Sequence, residues 1–381
     1  MNYFENFTGL QQNLIDSIKK VLFRRVGNIF DRLDFYDDEI YMEPLLYAFL
    51  AQPDDKWLDS IIIGYESDKK KEIDVFSNSS GIIYIPNVGY FKTDLMESSF
   101  KFHYSSGSEH GLFQDGLPVN YEFEPIYKLK NGVEVQIHPH PLLEPLFPFK
   151  IDKKVQNDLK DAHMDHLENS FLFLQLGRPE FYDTLLSTLK RVMLFNGTEP
   201  NSFAVFGAHN MVFLNVNHWD NEMFFIDHLS HEGSHVIFNT LTYYSKQSEL
   251  FNVSYDTSFA EITGRKEEHS DLYSRFHGLF TFVEILKSLK STLTMQQIDH
   301  KLVHETYGRI AFQLNRFDNS LKSFKGLGIF KEEGLLWFRY FENEFEELNN
   351  EFGHLRTKYK LSSPTYDFNG QVFLERNPIS N

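Results

Sequence analysis

The stretch Asp220–Tyr244, DNEMFFIDHLSHEGSHVIFNTLTYY, decides how the chain is read. Asp220 or Asn221 can cap a helix, because a short polar side chain there accepts from the first free backbone N–H groups. Phe224, Phe225, Leu229, Val236 and Ile237 then supply an apolar surface at helical spacing. Into that apolar helix the sequence places His231-Glu232-Gly233-Ser234-His235. Residues i and i+4 share one face of a helix, so both imidazoles can reach one ion. Glu232 points about 100° away and can touch a metal-bound water or a neighbouring group. Buried polar groups need partners, and a metal would provide one. A structural histidine pair is the alternative. His228, one turn earlier, fits a helix-start residue or a partner behind the ligands.

Helical periodicity dominates outward from this stretch towards the C-terminus. The spacing predicts helices over 153–175, 179–195, 271–292, 295–323 and 330–360, with 221–245 among them. A strand pair is expected in NSFAVFGAHNMVFLNVN (201–217), and a last strand in TYDFNGQVFLER (365–376). On the N-terminal side, helices are expected over 8–35 and 40–51. From 58 to 138 the segments SIIIGY, GIIYIPNVGYFKTDLM, FKFHYSSG, YEFEPIYKL and VEVQIHPH are β-branched, aromatic and broken by Gly, Asn and Pro, as strands are. The proline-rich PHPLLEPLFPFK (139–150) is expected to cross between two parts. The expected fold class is α+β: a sheet-rich N-terminal domain over 1–150, a candidate for peptide or leader binding, packed on a mainly helical metal-binding domain over 151–381.

Composition narrows the function classes. The chain has 381 residues, 39 of them Phe, and no Cys. Without Cys there is no disulfide, thiolate ligand, iron–sulfur cluster or Cys nucleophile, so a metal must be held by His, Asp or Glu. The net charge of −17 repels phosphate backbones, which argues against nucleic acid, and would attract a cationic peptide. No run approaches the length of apolar residues that spans a membrane. The opening MNYFENFTGLQQNLIDSIKK lacks a secretory signal's basic and apolar regions, so a cytoplasmic location is expected.

A catalytic metal needs a third ligand. The extended pattern HExxHxxGxxH fails, because Phe238 stands for its Gly and Leu241 for its third His. Three candidates remain open: Glu261 in SFAEITGRKEE, and Glu284 and His277 in the apolar helix LYSRFHGLFTFVEILKSL. Gly278 after His277 costs helix stability and suggests that another element comes close. His300 and His304 also stand four apart but lack the glutamate and lie among charges. His138, His140, His163 and His166 are assigned no role.

The segments FIDHLSHEGSHVIFNTL and RFHGLFTFVEIL together resemble a bacterial family, the HExxH motif-containing peptide-modification proteins. There, too, an apolar HExxH helix is followed by a helix carrying His-Gly and alternating aromatic and small apolar residues. The resemblance covers residues 220–292. It implies an Fe(II) and 2-oxoglutarate dependent oxygenase acting on a ribosomally made precursor peptide, hydroxylating a side-chain carbon, with His231, His235 and His277 as metal ligands. Three open positions on the ion would then take a 2-oxo acid and O₂, and Glu232 would orient a ligand or bound water. The family's Arg-Pro-rich run before His-Gly is replaced here by GRKEEHSDLYSRFHG. Arg265 and Arg275 are the candidates for the distal carboxylate of 2-oxoglutarate, against surface pairing with Glu267, Glu268 or Asp271. The alternative is a zinc metallopeptidase, in which Glu232 is the general base and Glu261 can be the third ligand.

Overall fold

The computed structural model describes residues 3–67, 72–105, 110–265, 270–295, 298–361 and 368–379. The chain is α+β, with its sheets in the N-terminal half and helices dominating the rest. It divides into a sheet unit, Thr8–Met164 with Leu186–His218, and a helical unit, Met1–Phe7, Asp165–Leu185 and Trp219–Asn381. This division differs from a single boundary at 150/151. The proline-rich 139–150 lies wholly within the sheet unit, and the chain changes unit inside three helices.

The sheet unit begins with α1 (Phe7–Arg25), α2 (Pro44–Leu50) and α3 (Leu58–Ile62). SIIIGY, expected as a strand, contributes to α3. Residues 60–64 are all buried, and a short run without alternation fits a buried helix as well as a buried strand. The helix expected over 8–35 stops at Arg25 and gives way to a 3-10 turn over Ile29–Asp31. Then follow β1 (Glu72–Phe76), β2 (Ile82–Ile85), β3 (Gly89–Lys92), β4 (Ser99–His103), β5 (Gly111–Gln114), β6 (Leu117–Pro118), β7 (Glu122–Glu124), β8 (Tyr127–Lys128) and β9 (Glu134–Gln136). They form antiparallel sheets β1-β4-β5-β6 and β2-β3-β7. In the first, Ile73 faces Phe102 and Val75 faces Phe100, and these alternate residues point into the core with Ile83, Phe91 and Leu112.

The helices α4 (Lys153–Gly177) and α5 (Pro179–Thr188) precede β10 (Arg191–Phe195) and β11 (Met211–Asn215). RVMLF, expected as the end of a helix, is the strand β10, parallel to both β9 and β11. Every residue of β10 is buried, so no alternation marks it in sequence. Its pairing to β9 is what joins 186–218 to the N-terminal strands. SFAVF contributes only one bridge, Phe203 to Phe213. At the start of β10, Arg191 grips Glu43 through both terminal nitrogens (2.5 and 2.7 Å), and its Nε lies 3.0 Å from Glu134, its neighbour in register. Tyr65 and Tyr84 donate to these two carboxylates.

The helical unit contains α6 (Glu222–Leu241), α7 (Ser245–Ser248), α8 (Phe259–Thr263), α9 (Leu272–Thr292), α10 (His300–Phe324), α11 (Glu332–Phe352), α12 (Leu355–Lys358) and α13 (Gly370–Arg376). The last replaces the strand expected over 365–376, of which 365–367 lie outside the described residues; Asn369 caps α13 by accepting from Val372 N. Asn221 caps α6, accepting from Met223 N and Phe224 N, and Asp271 caps α9. The first half of α6 is tied to α10. Asn221 donates to Glu305 (2.8 Å), Thr306 to Met223 Sδ (2.9 Å), and Arg309 and Gln313 to Asp227 (2.9 and 3.1 Å). Among the described residues, no helix is long and apolar enough to cross a membrane.

One carboxylate of the sheet unit gives a pH test. Burial would raise the pKa of Glu124, but contacts from His138, Lys92 and Tyr127 outweigh it and hold it down at about 2, against an ordinary 4.5. The folded value lies below the unfolded one, so below pH 4.5 the unfolded chain binds more protons. The stabilisation is present above pH 4.5 and is lost as pH falls towards 2. Glu124→Gln is expected to remove on the order of 2 kcal/mol of acid-sensitive stability across that window, read as a flatter dependence of urea midpoint on pH than in the wild type. An unchanged slope would contradict the assignment.

Candidate metal centre

The second half of α6 packs antiparallel against α9. Thr242 Oγ1 meets the Tyr273 hydroxyl (2.6 Å), which also reaches Asn239 Oδ1 (3.1 Å), and one to two turns further His235 meets His277. Phe238 lies among Tyr273, Phe276, Phe280 and Trp337, and its ring stacks on His277 at 5.3 Å and 17°. That stacking fixes the plane of the imidazole.

Three histidines expected from the sequence are brought together. Nδ1 of His235 lies 2.8 Å from Nε2 and 3.3 Å from Nδ1 of His277. The ring of His231 is centred 5.0 Å from that of His235. His231 and His277 are buried; His235 is only half-buried and forms the open side of the cluster. Burial is the main reason that all three have lowered pKa values, His235 to about 4. Neutral imidazole, the form with a lone pair to give, is therefore the resting state near pH 7. Beside His231 Nδ1, at 3.5 Å, stands a carboxylate oxygen of Glu232, itself buried. A carboxylate there favours the proton on Nδ1 and leaves Nε2 as the donor.

Two of the three imidazoles, those of His235 and His277, stand close enough for ring nitrogens of both to reach one ion. Two imidazole nitrogens bound at about 2.1 Å stand about 3 Å apart when cis on a six-coordinate ion, and roughly 3.4 Å apart on a tetrahedral one. The His235–His277 separation of 2.8 Å, at which the two rings share a direct N–H···N hydrogen bond, is nearer the first. Among the described residues, no group of three or more His, Asp or Glu side chains is placed to hold a metal ion.

The other ligand candidates lie elsewhere. Glu261 is exposed on α8. Glu284 shares a face of α9 with His277 but lies two turns on, roughly 10 Å along the axis, and is held by Arg178 at 2.7 Å. His228 stacks on Phe224 at 4.1 Å. His300 is exposed, and His304 reaches the Asn377 carbonyl at 2.7 Å, so this pair faces no common point.

The cations near the cluster are also not those expected. Arg265 is exposed beyond α8, and the Arg275 guanidinium lies over Phe259, with its α-carbon about 200° around α9 from His277. Asp271 is engaged by Ser274, and Glu267 and Glu268 lie outside the described residues. A cation whose charge reaches His231 is Arg316. The ties 221–305, 223–306 and 227–309/313 run α6 and α10 in the same direction, so one turn past Asp227 brings His231 opposite the turn that carries Arg316. Its charge acts on His231, and its guanidinium rests over Phe282 and Phe312 at 5.2 and 5.6 Å. Lys246 plays the corresponding part for His277, with Nζ over the Tyr273 ring at 5.0 Å. A signal for Arg316 was present in sequence: Arg309, Gln313 and Arg316 recur at i, i+4 and i+7, a polar stripe along α10.

No family model matches the chain, and no curated protein matches it.

Gly278 does not mark a close approach. A β-carbon added there meets nothing within 4 Å, whereas one added at Gly233 comes within 2.5 Å of Leu185 Cδ1 on α5. The tight spot is on the HExxH helix. Gly278→Ala is therefore expected to raise stability by up to about 1 kcal/mol through helix propensity. A drop in melting temperature would overturn this.

Proposed function

We propose that the chain is a metal-dependent oxygenase that uses Fe(II) and 2-oxoglutarate to hydroxylate a side-chain carbon of a ribosomally made precursor peptide. The observation that carries the reading is His277 meeting His235 at 2.8 Å, on the helix and beside the Gly that the family resemblance singled out. It supports an all-histidine ligand set over one completed by Glu261 or Glu284. Bound there, Fe(II) would supply the oxidising chemistry by which O₂ and 2-oxoglutarate together yield a hydroxylated side chain, succinate and CO₂. The chain's own residues do the rest. His231, His235 and His277 would hold the ion, neutral because they are buried. Glu232 would orient the His231 ring from behind, and Phe238 the His277 ring. Arg316 offers a charge for the distal carboxylate of 2-oxoglutarate, a contact that suits guanidinium geometry. Arg265 and Arg275 lie less well for that task.

The test is an anaerobic Fe(II) titration followed by 2-oxoglutarate and O₂, with succinate release as the readout. His277→Ala is expected to lower bound iron and abolish succinate release, while Glu261→Ala leaves both near wild type. The reverse result would overturn the ligand set. Peptide cleavage that requires zinc and is lost in Glu232→Gln would replace this reading by a zinc metallopeptidase with Glu232 as general base.

A separate measurement concerns Arg316. Arg316→Gln is expected to weaken 2-oxoglutarate binding to the Fe(II)-loaded protein by about 10- to 100-fold, the scale of a lost charge-assisted contact. The readout is the visible charge-transfer band of the bound 2-oxo acid. Iron content should stay unchanged, and Arg275→Gln should bind 2-oxoglutarate as the wild type does.

A further inference from the structure

Far from the histidine cluster in sequence, the sheet unit carries an exposed aromatic groove at the end of α1. A cavity of about 270 Å³ is lined by Asp16, Lys19, Lys20, Phe23, Phe30 and Phe35. The rings form a chain: Phe23 stacks on Phe30 at 5.7 Å, Phe35 meets Phe30 edge-on at 5.1 Å, and Tyr36 meets Phe35 at 5.4 Å. They stay open to water: Phe23 is 49% exposed, Phe35 43% and Tyr36 88%. Leaving several neighbouring aromatic rings uncovered forgoes hydrophobic stabilisation, and such patches mark interaction surfaces.

The surroundings specify the occupant. The loop DRLDFYDDE (31–39) carries five carboxylates and one arginine, and that arginine is engaged by Glu66 and Asp59. Of the two lysines that line the groove, Lys19 is neutralised by Asp38 at 2.7 Å and lies over Phe35, while Lys20 is exposed beside Asp16 on the groove's α1 side. Asp34 and Asp37 cap the loop through Tyr36 N and Glu39 N. The negative field is felt at Tyr41, whose hydroxyl is pushed up first by burial and then by Asp34, Asp37 and Asp38. We propose that this groove docks a basic amphipathic peptide segment, with an aromatic or branched aliphatic side chain over Phe23, Phe30 and Phe35 and lysines or arginines against Asp34 and Asp37, which flank Phe35 and Tyr36 in the chain. Nucleic acid and anionic lipid are repelled by the same carboxylates, and a second copy of this chain, at −17, is repelled too. The proposal requires nothing of the histidine cluster.

Three fluorescein-labelled synthetic helical peptides test it by anisotropy with the full chain. One carries Leu and Phe on one face and Lys elsewhere, the second replaces Lys by Glu, and the third keeps Lys but replaces Leu and Phe by Gln. Only the first is expected to bind, and more weakly as salt rises from about 0.05 to 0.5 M. The double variant Phe35→Ser with Tyr36→Ser, both at exposed positions, should weaken binding at least tenfold, as loss of aromatic anchors does. Asp34→Asn with Asp37→Asn keeps the capping oxygens and should weaken it several-fold while flattening the salt dependence. Melting temperatures check that each variant is folded. The proposal falls if the first peptide does not bind, if the second or third binds equally well, or if folded variants bind like the wild type. It also falls if the chain dimerises through the groove, seen as a concentration-dependent mass that the Phe35/Tyr36 variant abolishes.

Discussion

The helical unit depends on how a buried helix satisfies charge. Asp227 is buried in α6, and Arg309, fully buried in α10, answers it while also gripping Glu305 one turn back on its own helix. Asn221 and Gln313 add donors to the two carboxylates. Removing either partner would strand a charge at low dielectric, a cost of several kcal/mol. Directional contacts of this kind admit one register where an apolar seam admits several. Everything further along α6 inherits that register, including which face His231 presents and which turn of α10 stands opposite it.

A second buried arginine does the same for the sheet unit. Arg191 opens β10 and is clasped by Glu43 from the N-terminal helices and by Glu134 from β9. Three otherwise remote segments meet at one guanidinium. The bidentate grip on Glu43 fixes orientation as well as distance. Both units therefore use a buried arginine between two carboxylates, and in each the flanking tyrosines or amides complete the carboxylates' hydrogen bonds.

What was legible in the sequence follows from these constraints. The helix carrying HExxH was visible because a cap candidate, Asn221, and periodicity agreed, and its partner carrying His277 because of apolar periodicity alone; the cap at Asp271 appears only in the structure. The meeting of the three histidines was suggested by the motif together with the resemblance. Segments buried on every side were misjudged, since neither RVMLF nor SIIIGY shows a wet face and periodicity has nothing to register. The C-terminal GQVFLER misled in another way, because its β-branched and aromatic residues outweighed the cap at Asn369. The charge of Arg316 reaches His231 through helix register across 85 positions, which no local pattern displays, whereas Arg265 and Arg275 were singled out by the resemblance, from the run that precedes His277.

The two ends of the histidine cluster differ in how far apart they lie along the chain. His231 and His235 are one helical turn apart and can meet an ion on a nascent helix. His277 lies 42 residues from His235 and arrives only when α6 and α9 have packed. A cation held by all three would bind the native state more tightly than any partly folded one by roughly the contribution of that last ligand. By mass action this difference alone is what such an ion could add to the folding equilibrium. The antiparallel packing of α6 on α9 is thus a gate in the folding sense: a divalent ion present during synthesis would reward the late, long-range step and leave the early, local one nearly untouched.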